Sequence, residues 1–520
     1  MRLKRIRIEN YRRIQALDVE VRRHLVLVGP NDSGKSSVVR ALNLLLGSAG
    51  PQLVPSFSER DFSDLGSPIV VEATLGELTE EEKAAFPDEV SVGPPAIVVV
   101  RLEARFEQGQ DSATVTRSFP DAGHGRGPNR EQLSAIAWRV VPADRLLGRE
   151  LSGERPGLMR SVLSSLELGE DELAIREKMT EFHRSLDEAE ALLAFRGELA
   201  GALSSALPRS FSDQDVRLLP PGWASEDPLA GTSLGVEEDG RYPPLGEQSD
   251  GVRSLAAFAV YSMMHQGANL LAIDEPEMHL HPTAQRAVGK LLRSARGQRI
   301  VATHSSTLLS QMDPVDIVAF GPARVARQLS PGRATTDAFA LRWWRSRILE
   351  PLTANKVILV EGVSDRILLE AVASQLHIDL DRLGIHVFEL DGSGGFVTAH
   401  ELLGQPGFGL RLLGVVDEAE AADWSNAIGI PIADLEVAGY RICRPDLEGE
   451  YLASLGAQQV LSILTESNLL SPNELANVTQ NIGLVSKYKV KAASALALQL
   501  DKTQAQAIRP LAEILELALA

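Results

Sequence analysis

Hydrophobic and polar positions near the start of the chain follow first the period of a strand and then that of a helix. Charged residues alternate with Ile6 and Ile8, which is the two-residue period of a strand. A second apolar run, HLVLVG, ends in glycine, and the run SSVVRALNLLLG that follows it has helical spacing. Residues 24–47 are therefore predicted to form a strand, a Gly-rich loop and a helix.

The rest of the chain changes pattern several times. Residues 68–118 contain short β-rich runs that predict an antiparallel sheet, and residues 150–206 have the periodicity of helices. The runs NLLAIDEPE and QRIVATHSS then resume the strand–helix alternation that begins the chain. After a boundary near 346–355, KVILVEG opens another strand–loop–helix unit, and the chain is predicted to be helical from about 447 onward.

This alternation of strands and helices predicts the α/β fold class. We expect one α/β domain built from residues 1–150 and 211–348, interrupted by a helical insert at 151–210. The amphipathic helices of such an insert need something to cover their apolar face, so we expect the insert to form a dimer contact. Residues 349–520 are expected to form a second α/β domain with a helical C-terminal extension.

Composition narrows the possible partners. The 520 residues include 52 Lys and Arg against 70 Asp and Glu, a net charge of −18, so any contact with nucleic acid must be local. Cys443 is the single cysteine, which excludes a disulfide scaffold within the chain and a multi-thiolate zinc site. No uncharged apolar stretch approaches the ~20 residues that cross a bilayer, and the start does not resemble a signal peptide. We therefore expect a cytoplasmic protein with no membrane partner.

The Gly-rich loop carries a phosphate-binding motif. Residues 29–36 read GPNDSGKS and satisfy the GxxxxGK[ST] pattern between a strand and a helix. In this pattern backbone N–H groups surround phosphates at a helix N-terminus, Lys35 reaches the β- and γ-phosphates, and Ser36 reaches Mg²⁺. The sequence therefore predicts a site for ATP and Mg²⁺. The candidate nucleotide-binding residues here are Gly29, Asn31, Gly34, Lys35, Ser36 and Ser37.

A second strand end supplies carboxylates for the same chemistry. After the apolar run LLAI, Asp274 suits the Mg²⁺ shell and nucleotide site, and Glu275 suits the base that activates water. The strand-bounded THSS, with His304 as a further catalytic candidate, strengthens this assignment. His279 and His281 have the spacing of a metal pair, but no third ligand is evident, so we favour a role in a loop or a dimer contact.

These motifs together resemble those of the ABC-type ATPases of the SMC and RecF group. The resemblance implies that His304 contacts the γ-phosphate and that a signature segment from a second subunit completes the site. SDGVR at residues 249–253 is the best match to that segment, which usually reads SGGQ. Ser249 and Gly251 are therefore the implied nucleotide contacts, and the implied assembly is a homodimer whose ATPase heads pair around the nucleotide.

A second group of carboxylates follows two buried strands in the C-terminal part of the chain. Glu361 comes directly after KVILV, and Asp365 lies four residues later, near Glu361 if a helix starts after Gly362. A second apolar run, LLGVV, delivers Asp417, with further acids close behind it. The candidate cation ligands of this region are Glu361, Asp365, Asp417, Glu418 and Glu420.

This arrangement resembles a Toprim domain, which holds divalent metal for phosphodiester chemistry with a glutamate after one strand and an acidic pair after another. The Toprim pair is normally DxD, whereas this chain reads Asp417-Glu418-Ala419. Two outcomes stay open on the sequence alone. Either Glu418 or Glu420 replaces the second aspartate, or metal binding is weakened.

An ABC-type ATPase followed by a Toprim domain is the arrangement of the OLD (overcoming lysogenization defect) family of ATP-dependent nucleases, which this chain resembles from end to end. The resemblance implies two divalent cations, Mg²⁺ or Mn²⁺, in the Toprim site. It implies Glu448 and Glu450 for one cation and Glu361, Asp365 and Asp417 for the other. It also implies a catalytic lysine at the transition state, for which Lys489 is preferred over Lys491.

The leading hypothesis is an ATP-hydrolysing, metal-dependent DNA endonuclease regulated by its ATPase dimer. The alternative is a DNA-binding ATPase scaffold with a degenerate Toprim, which Ala419 favours; a primase- or topoisomerase-like transferase is disfavoured. The DNA backbone could be bound by the basic first strand or by arginines that adjoin two tryptophans. These tryptophans are at least as well explained by packing between domains as by base stacking. The residues concerned are Arg342, Trp343, Trp344, Arg345 and Arg347.

Overall fold

The structure is a computed structural model, and its secondary structure divides into two compact units. The residues that it describes are 1–91, 94–106, 113–120, 125–141, 178, 181–182, 184–219, 233–243, 247–249, 251–252, 255–256, 269–321, 325–329, 342–344, 346–392 and 394–520. One unit comprises Met1–Leu27 and Gly34–Asp316, and the other comprises Val28–Ser33 and Ile317–Ala520. Each unit is α/β, as the sequence pattern predicts.

The strands and helices of the first unit are labelled in chain order. Its strands are β1 (Arg2–Tyr11), β2 (Ile14–Glu20), β3 (Leu25–Val28), β4 (Ile69–Gly76), β5 (Val98–Arg105), β6 (Thr114–Ser118), β7 (Trp138–Val141), β8 (Val216–Leu219), β9 (Ser233–Val236), β10 (Leu270–Asp274) and β11 (Gln298–Thr303). Its helices are α1 (Lys35–Leu46), α2 (Glu80–Ala84), α3 (Arg130–Ile136), α4 (Glu190–Ala206), α5 (Pro282–Ser294) and α6 (Ser306–Leu309).

Two sheets organise the first unit. One is antiparallel, in the order β2-β1-β4-β5-β6, and it includes the β-rich runs of residues 68–118, where the sequence predicts an antiparallel sheet. In the other sheet, β3, β11, β10 and β7 are consecutive, and β10 runs parallel to both β11 and β7. The side chains of β3 and β11 are all buried, as expected for parallel strands covered on both faces.

The predicted insert at 151–210 lies partly outside the described residues. Its longest described helix is α4 (Glu190–Ala206), so the predicted dimer contact stays a prediction. The division between the two units falls at Asp316 and Ile317, earlier in the chain than the boundary that the sequence predicts near 348. Among the described residues, no helix combines the length and the apolar character that a membrane span requires.

The second unit is built around a parallel sheet. The strands of the unit are β12 (Ile317–Phe320), β13 (Ala326–Gln328), β14 (Lys356–Val360), β15 (Ile385–Glu389), β16 (Arg411–Asp417) and β17 (Tyr440–Cys443), of which β12 and β13 form an antiparallel pair outside this sheet. Its helices are α7 (Leu349–Thr353), α8 (Val363–Gln375), α9 (Leu380–Leu383), α10 (Gly395–Leu403), α11 (Ala421–Ile428), α12 (Leu435–Ala438), α13 (Leu447–Leu455), α14 (Ala457–Ser467), α15 (Pro472–Gln480), α16 (Lys489–Gln499), α17 (Lys502–Ala507) and α18 (Arg509–Leu519).

The order β15-β14-β16-β17, with all pairs parallel, places the carboxyl ends of these strands at one edge of the sheet. The chain after residue 447 is helical, as the sequence predicts, and α8, α16 and α18 share one buried core with β14 and β16. α16 is therefore held close to α8, which begins at the same edge of the sheet.

The two tryptophans considered for base stacking are core residues. Trp343 and Trp344 are only 0% and 3% exposed, which leaves no ring face for a base. Trp343 meets Phe388 edge-on with the ring centroids 5.1 Å apart, and Trp344 stacks on Phe408. Both rings therefore pack within the second unit, and the base-stacking hypothesis is wrong, whereas packing between domains stays a prediction.

The arginines beside these tryptophans have acidic partners in the same unit. Arg347 Nη2 lies 2.5 Å from Asp391 Oδ2, and Arg342 Nη1 lies 3.7 Å from the same oxygen. Arg345 lies outside the described residues. The charge of Arg342 and Arg347 is thus shared with Asp391, which weakens their candidacy as a DNA-binding patch.

Candidate active sites

The Gly-rich loop requires glycine at two places. Gly34 has a φ of 107°, and a Cβ there would lie 3.2 Å from Ile14 Cγ1. A Cβ on Gly29 would come within 2.9 Å of the Phe320 backbone carbonyl and 2.7 Å of Ser33 Oγ, so the neighbouring backbone would have to shift. The loop leads into α1, whose first residue Lys35 is 6% exposed. These constraints are those of a phosphate loop that ends at a helix N-terminus.

The hydroxyl and carboxylate predicted to hold Mg²⁺ are in contact. Ser36, in the first turn of α1, donates a hydrogen bond from Oγ to Asp274 Oδ1 over 3.2 Å. Asp274 is the last residue of β10, and burial raises the pKa of its carboxyl group. Asn31 is exposed on the loop, and Ser37 lies one residue beyond Ser36 on α1. The structure therefore unites two elements that are more than 200 residues apart in the sequence.

Glu275 and His304 also lie together. Glu275 has a φ of 47°, a left-handed conformation that takes the chain out of β10, and its N–H donates to the Ala302 carbonyl. Its Oε1 lies 3.7 Å from Nδ1 of His304, whose side chain is 48% exposed. The two residues predicted for catalysis in the ATPase thus face each other beside β11.

Sequence reasoning missed Glu277, which is buried between these residues. Its Oε1 accepts hydrogen bonds from Thr303 Oγ1 (2.7 Å) and from the backbone N–H of His304 (2.8 Å). The second glutamate in the run DEPE was the visible signal. Its burial could not be read from the sequence, since the run looks like an exposed turn.

The predicted histidine pair has a local structural role, and the predicted signature segment is only partly described. The ring of His281 caps α5, accepting a hydrogen bond from the Thr283 N–H over 3.4 Å, and His279 is exposed. This agrees with the loop interpretation and not with a metal pair. In the proposed signature segment, Ser249 is exposed and a Cβ on Gly251 would lie 3.4 Å from the His279 carbonyl. Asp250 and Arg253 lie outside the described residues.

The second unit gathers carboxylates at the carboxyl ends of β14 and β16. Glu361 follows β14, and Asp417 ends the neighbouring β16, so their side chains leave the same edge of the sheet. Asp417 donates its backbone N–H to Glu361 Oε1 over 3.2 Å. One carboxylate oxygen each from Glu361, Asp417 and Glu420 lies within 4.8 Å of the other two. Three hard oxygen ligands converging in this way suit Mg²⁺ or Mn²⁺.

Burial and mutual repulsion perturb these carboxyl groups strongly. Burial, together with the charges of Glu420 and Asp365, raises the pKa of Glu361 to about 7. Burial likewise raises the pKa of Asp417 to about 8, with Glu361 and Asp365 as the nearest repelling charges. The negative charges of these carboxylates are therefore poorly compensated by the protein, and a bound cation would compensate them.

The stabilisation of the folded protein by metal bound at this site should increase with pH. Because the pKa of Glu361 and Asp417 is raised in the folded protein, their contribution to stability is present below an unfolded pKa of about 4 and is lost as pH rises through about 7 to 8. Cations compete with those protons, so Mn²⁺ should raise the melting temperature more at pH 8 than at pH 6. Differential scanning fluorimetry measures this, with Glu361→Gln as the control that should lose most of the difference. Equal shifts at both pH values would contradict the assignment.

Two more predicted acids border the cluster. Asp365 lies in the first turn of α8, where its Oδ2 accepts the Gly362 N–H over 3.0 Å and its Oδ1 accepts the Ser364 hydroxyl. Glu448 lies in the first turn of α13 and is 6% exposed. Burial raises the pKa of both carboxyl groups. Both are thus partly desolvated acids, and their negative charges also help to raise the pKa of Asp417.

The structure distinguishes Glu420 from Glu418. Glu420 belongs to the cluster with Glu361 and Asp417, whereas Glu418 is exposed and is not among its members. Glu450 also has another role, because its Oε1 accepts the Arg444 N–H over 2.8 Å. Of the two glutamates that could replace the second aspartate, Glu420 is therefore the one whose carboxylate lies with Glu361 and Asp417.

The structure also separates the two candidate lysines. Lys489 begins α16, and burial alone would lower its pKa, but nearby carboxylates raise it overall. Those carboxylates are Glu448, Asp365, Asp417 and Glu361. Lys491 instead donates to both oxygens of Glu474 over 2.7 and 2.8 Å. Residues two apart on a helix do not share a face, so only one of these lysines can reach the cluster.

Comparison with known proteins places both units in described families. Residues 25–310, more than half of the chain, match the family described as "AAA domain, putative AbiEii toxin, Type IV TA system". Residues 352–418 match the family described as "Overcoming lysogenization defect protein-like, TOPRIM domain". Because the first match covers more than half of the chain, the chain belongs to that AAA-domain family, and its C-terminal part resembles the Toprim domain of the OLD family. The predicted pairing of an ATPase with a Toprim domain is thereby confirmed.

Curated relatives match this chain over most of its length. It is 24% identical over 439 residues to the OLD nuclease of Thermus scotoductus, covering 76% of this chain and 78% of that one. It is 21% identical to endonuclease GajA of Bacillus cereus, covering 76% and 71%, and 21% identical to the Old nuclease of Escherichia phage P2, covering 80% and 77%.

Proposed function

We propose that this protein hydrolyses ATP in its first site and cuts DNA in its Toprim site, with the ATPase regulating cleavage. The observation that carries the proposal is the convergence of Glu361, Asp417 and Glu420 at one edge of the Toprim sheet, with Lys489 in the same electrostatic environment. The names of the relatives support it, since each is called a nuclease. The proposal places the protein in the cytoplasm, where both ATP and DNA are found.

The residues present fit divalent cations. Glu361, Asp417 and Glu420 form one set of oxygen ligands, and Asp365 and Glu448 extend it toward the starts of α8 and α13. Two cations bound by these carboxylates, Mg²⁺ or Mn²⁺, would supply positive charge to the attacking and leaving oxygens of a phosphodiester. We therefore assign metal binding to these five residues and leave Glu418 and Glu450 outside the set.

Lys489 has the position of a transition-state stabiliser. Its ammonium group lies in the field of the metal-binding carboxylates, and its exposed position at the start of α16 leaves it open to a substrate phosphate. A phosphodiester gains negative charge on its non-bridging oxygens as it is attacked, and a fixed cation stabilises that charge. Lys491 cannot play the same part while it is paired with Glu474.

Lys489→Ala should therefore lower the rate of plasmid cleavage by about 100-fold, the cost of removing one fixed transition-state donor. Lys491→Ala is the matched control, since it removes the same charge from the same helix and should change the rate by less than about 3-fold. Initial rates of supercoiled plasmid conversion with Mn²⁺ measure both. Equal losses in the two variants, or a larger loss in Lys491→Ala, would contradict the assignment of Lys489.

In the ATPase site we assign roles to the predicted residues as follows. Lys35 neutralises the terminal phosphates, and Ser36 with Asp274 holds Mg²⁺, consistent with their hydrogen bond. Glu275 orients and deprotonates the attacking water, and His304 contacts the γ-phosphate. These assignments are supported by the closeness of Glu275 and His304.

We further propose that two copies pair around ATP. Ser249, which is exposed, and Gly251 would then face the nucleotide of the other copy. A site completed in this way can transmit nucleotide occupancy to the rest of the assembly, because pairing depends on the bound ligand. ATP would thus act on cleavage through the state of the dimer.

The scaffold alternative rests on Ala419, which breaks the usual acidic pair. Glu420 offers a carboxylate oxygen to the same cluster one residue later, so a third oxygen ligand is present despite Ala419. The enzyme interpretation is therefore the better one. An inactive Toprim would also have no need for a lysine whose charge is stabilised by four surrounding acids.

A further inference from the structure

Glu277 is a buried carboxylate to which the proposed ATPase chemistry gives no role. It follows β10 by three residues, and its side chain is 5% exposed. Its Oε1 accepts hydrogen bonds from Thr303 Oγ1 and from the His304 N–H. Within the described part of the chain, its Oε2 is buried and has no hydrogen-bond partner.

Such a carboxylate is costly to bury, so a purely structural role explains it poorly. A neutral acceptor would satisfy the Thr303 hydroxyl and the His304 N–H equally well, and it would not leave a charged oxygen unpaired. Both donors belong to the end of β11, the segment that carries His304. The oxygen that binds both donors, Oε1, also lies beside the imidazole ring.

The ring of His304 is close enough to Glu277 Oε1 for the carboxylate to act on it. Its Nδ1 lies 3.5 Å from Glu277 Oε1, closer than to Glu275 Oε1 at 3.7 Å. A carboxylate beside one imidazole nitrogen keeps the proton on that nitrogen and so sets the tautomer and the orientation of the ring. With Nδ1 carrying the proton toward Glu277, Nε2 is the nitrogen left for an oxygen of the nucleotide.

We propose that Glu277 is a positioning residue that holds His304 through its backbone N–H and its Nδ1, so that Nε2 meets the terminal phosphate of ATP. The inference rests on the proposed contact between His304 and that phosphate. It adds a carboxylate–histidine pair to the ATPase site, separate from the metal ligands Ser36 and Asp274 and from Glu275, the base. Thr303 is the third member, because its hydroxyl fixes the same carboxylate oxygen.

A double-mutant cycle on the full-length protein tests this pair. Glu277→Gln is isosteric and keeps an acceptor for Thr303 and for the His304 N–H, so the fold should be retained. We expect Glu277→Gln and His304→Ala each to lower kcat for ATP hydrolysis by about 10-fold or more, with the affinity for ATP within about 2-fold of wild type. The double variant should be no slower than His304→Ala alone, because the carboxylate acts only through the ring.

The outcomes separate the two levels of the proposal. If His304→Ala leaves kcat unchanged, the proposed role of His304 fails. If His304→Ala is slow but Glu277→Gln hydrolyses ATP at the wild-type rate, or if the two effects multiply in the double variant, the positioning role of Glu277 is wrong and the proposed function stands.

A second readout does not depend on turnover. In protein labelled with ¹⁵N-histidine, the His304 signals can be assigned as those missing from His304→Ala. Wild type should show a protonated Nδ1 and an unprotonated Nε2, and Glu277→Gln should show a mixture of tautomers. The same tautomer in both proteins would overturn the proposal, even if Glu277→Gln lowered the melting temperature and thereby confused the kinetic comparison.

Discussion

Glu361→Gln is expected to lower DNA cleavage by at least about 100-fold, because it removes a cation ligand from the centre of the cluster. The substitution keeps the shape of the side chain and the acceptor for the Asp417 N–H, so the local fold should be preserved. ATP hydrolysis should stay within about 2-fold of wild type, since no ATPase residue is altered. Plasmid cleavage with Mg²⁺ or Mn²⁺ and phosphate release from ATP measure the two activities on the same preparation.

Two neighbouring glutamates provide the matched comparison for this prediction. Glu420→Gln should also lose cleavage strongly, because its carboxylate shares the cluster with Glu361 and Asp417. Glu418→Gln makes the same chemical change two residues earlier, on an exposed side chain outside the cluster, and should leave cleavage nearly intact. Loss of cleavage in Glu418→Gln with normal cleavage in Glu420→Gln would show that the cluster is assembled differently.

Lys35→Ala is expected to lower ATP hydrolysis by at least about 100-fold, since the only side-chain cation of the phosphate loop would be lost. Lys35 is buried at the start of α1, where its ammonium group would replace water around bound phosphates. Lys290→Ala, an exposed lysine on α5, is the control and should hydrolyse ATP at the wild-type rate. Cleavage by Lys35→Ala without ATP should equal that of wild type without ATP. A Lys35→Ala protein that hydrolyses ATP normally would refute the assignment of this loop.

The sequence predicted which residues of the candidate ATPase site lie together, because its motifs are short and contiguous. The loop at residues 29–36 needs specific residues at fixed spacing, and Asp274 follows an apolar run that reads as a buried strand. Parallel strands then bring their carboxyl ends to one edge, so contact between Ser36 and Asp274 was foreseeable. The same logic joined Glu361 with Asp417 in the Toprim domain.

What the sequence could not supply was the direction of individual side chains. Glu418 and Glu420 differ by two positions in a turn, and only the path of the chain after β16 sends Glu420 into the cluster. Lys489 and Lys491 differ by two positions on one helix, and the partner that engages Lys491 is Glu474 on α15. Neither distinction follows from a periodicity, because both depend on packing between separate elements.

The burial of particular side chains could not be predicted from the sequence either. Glu277 lies in a polar run that reads as an exposed turn, yet the segment after β10 turns inward and encloses it. Trp343 and Trp344 adjoin arginines in the sequence, as a stacking surface for bases would, yet both rings are enclosed by Phe388 and Phe408. In each case the local composition gave a plausible surface, and tertiary packing determined otherwise.

The central claim is that the Toprim cluster hydrolyses DNA despite Ala419. The most direct test is conversion of supercoiled plasmid by the purified, metal-stripped wild-type protein, with Mg²⁺ or Mn²⁺ restored and with or without ATP. The account predicts nicked and then linear DNA in the presence of metal and none in the presence of EDTA. Intact plasmid under every metal condition, from a preparation that still hydrolyses ATP, would contradict it and make this chain an ATPase scaffold.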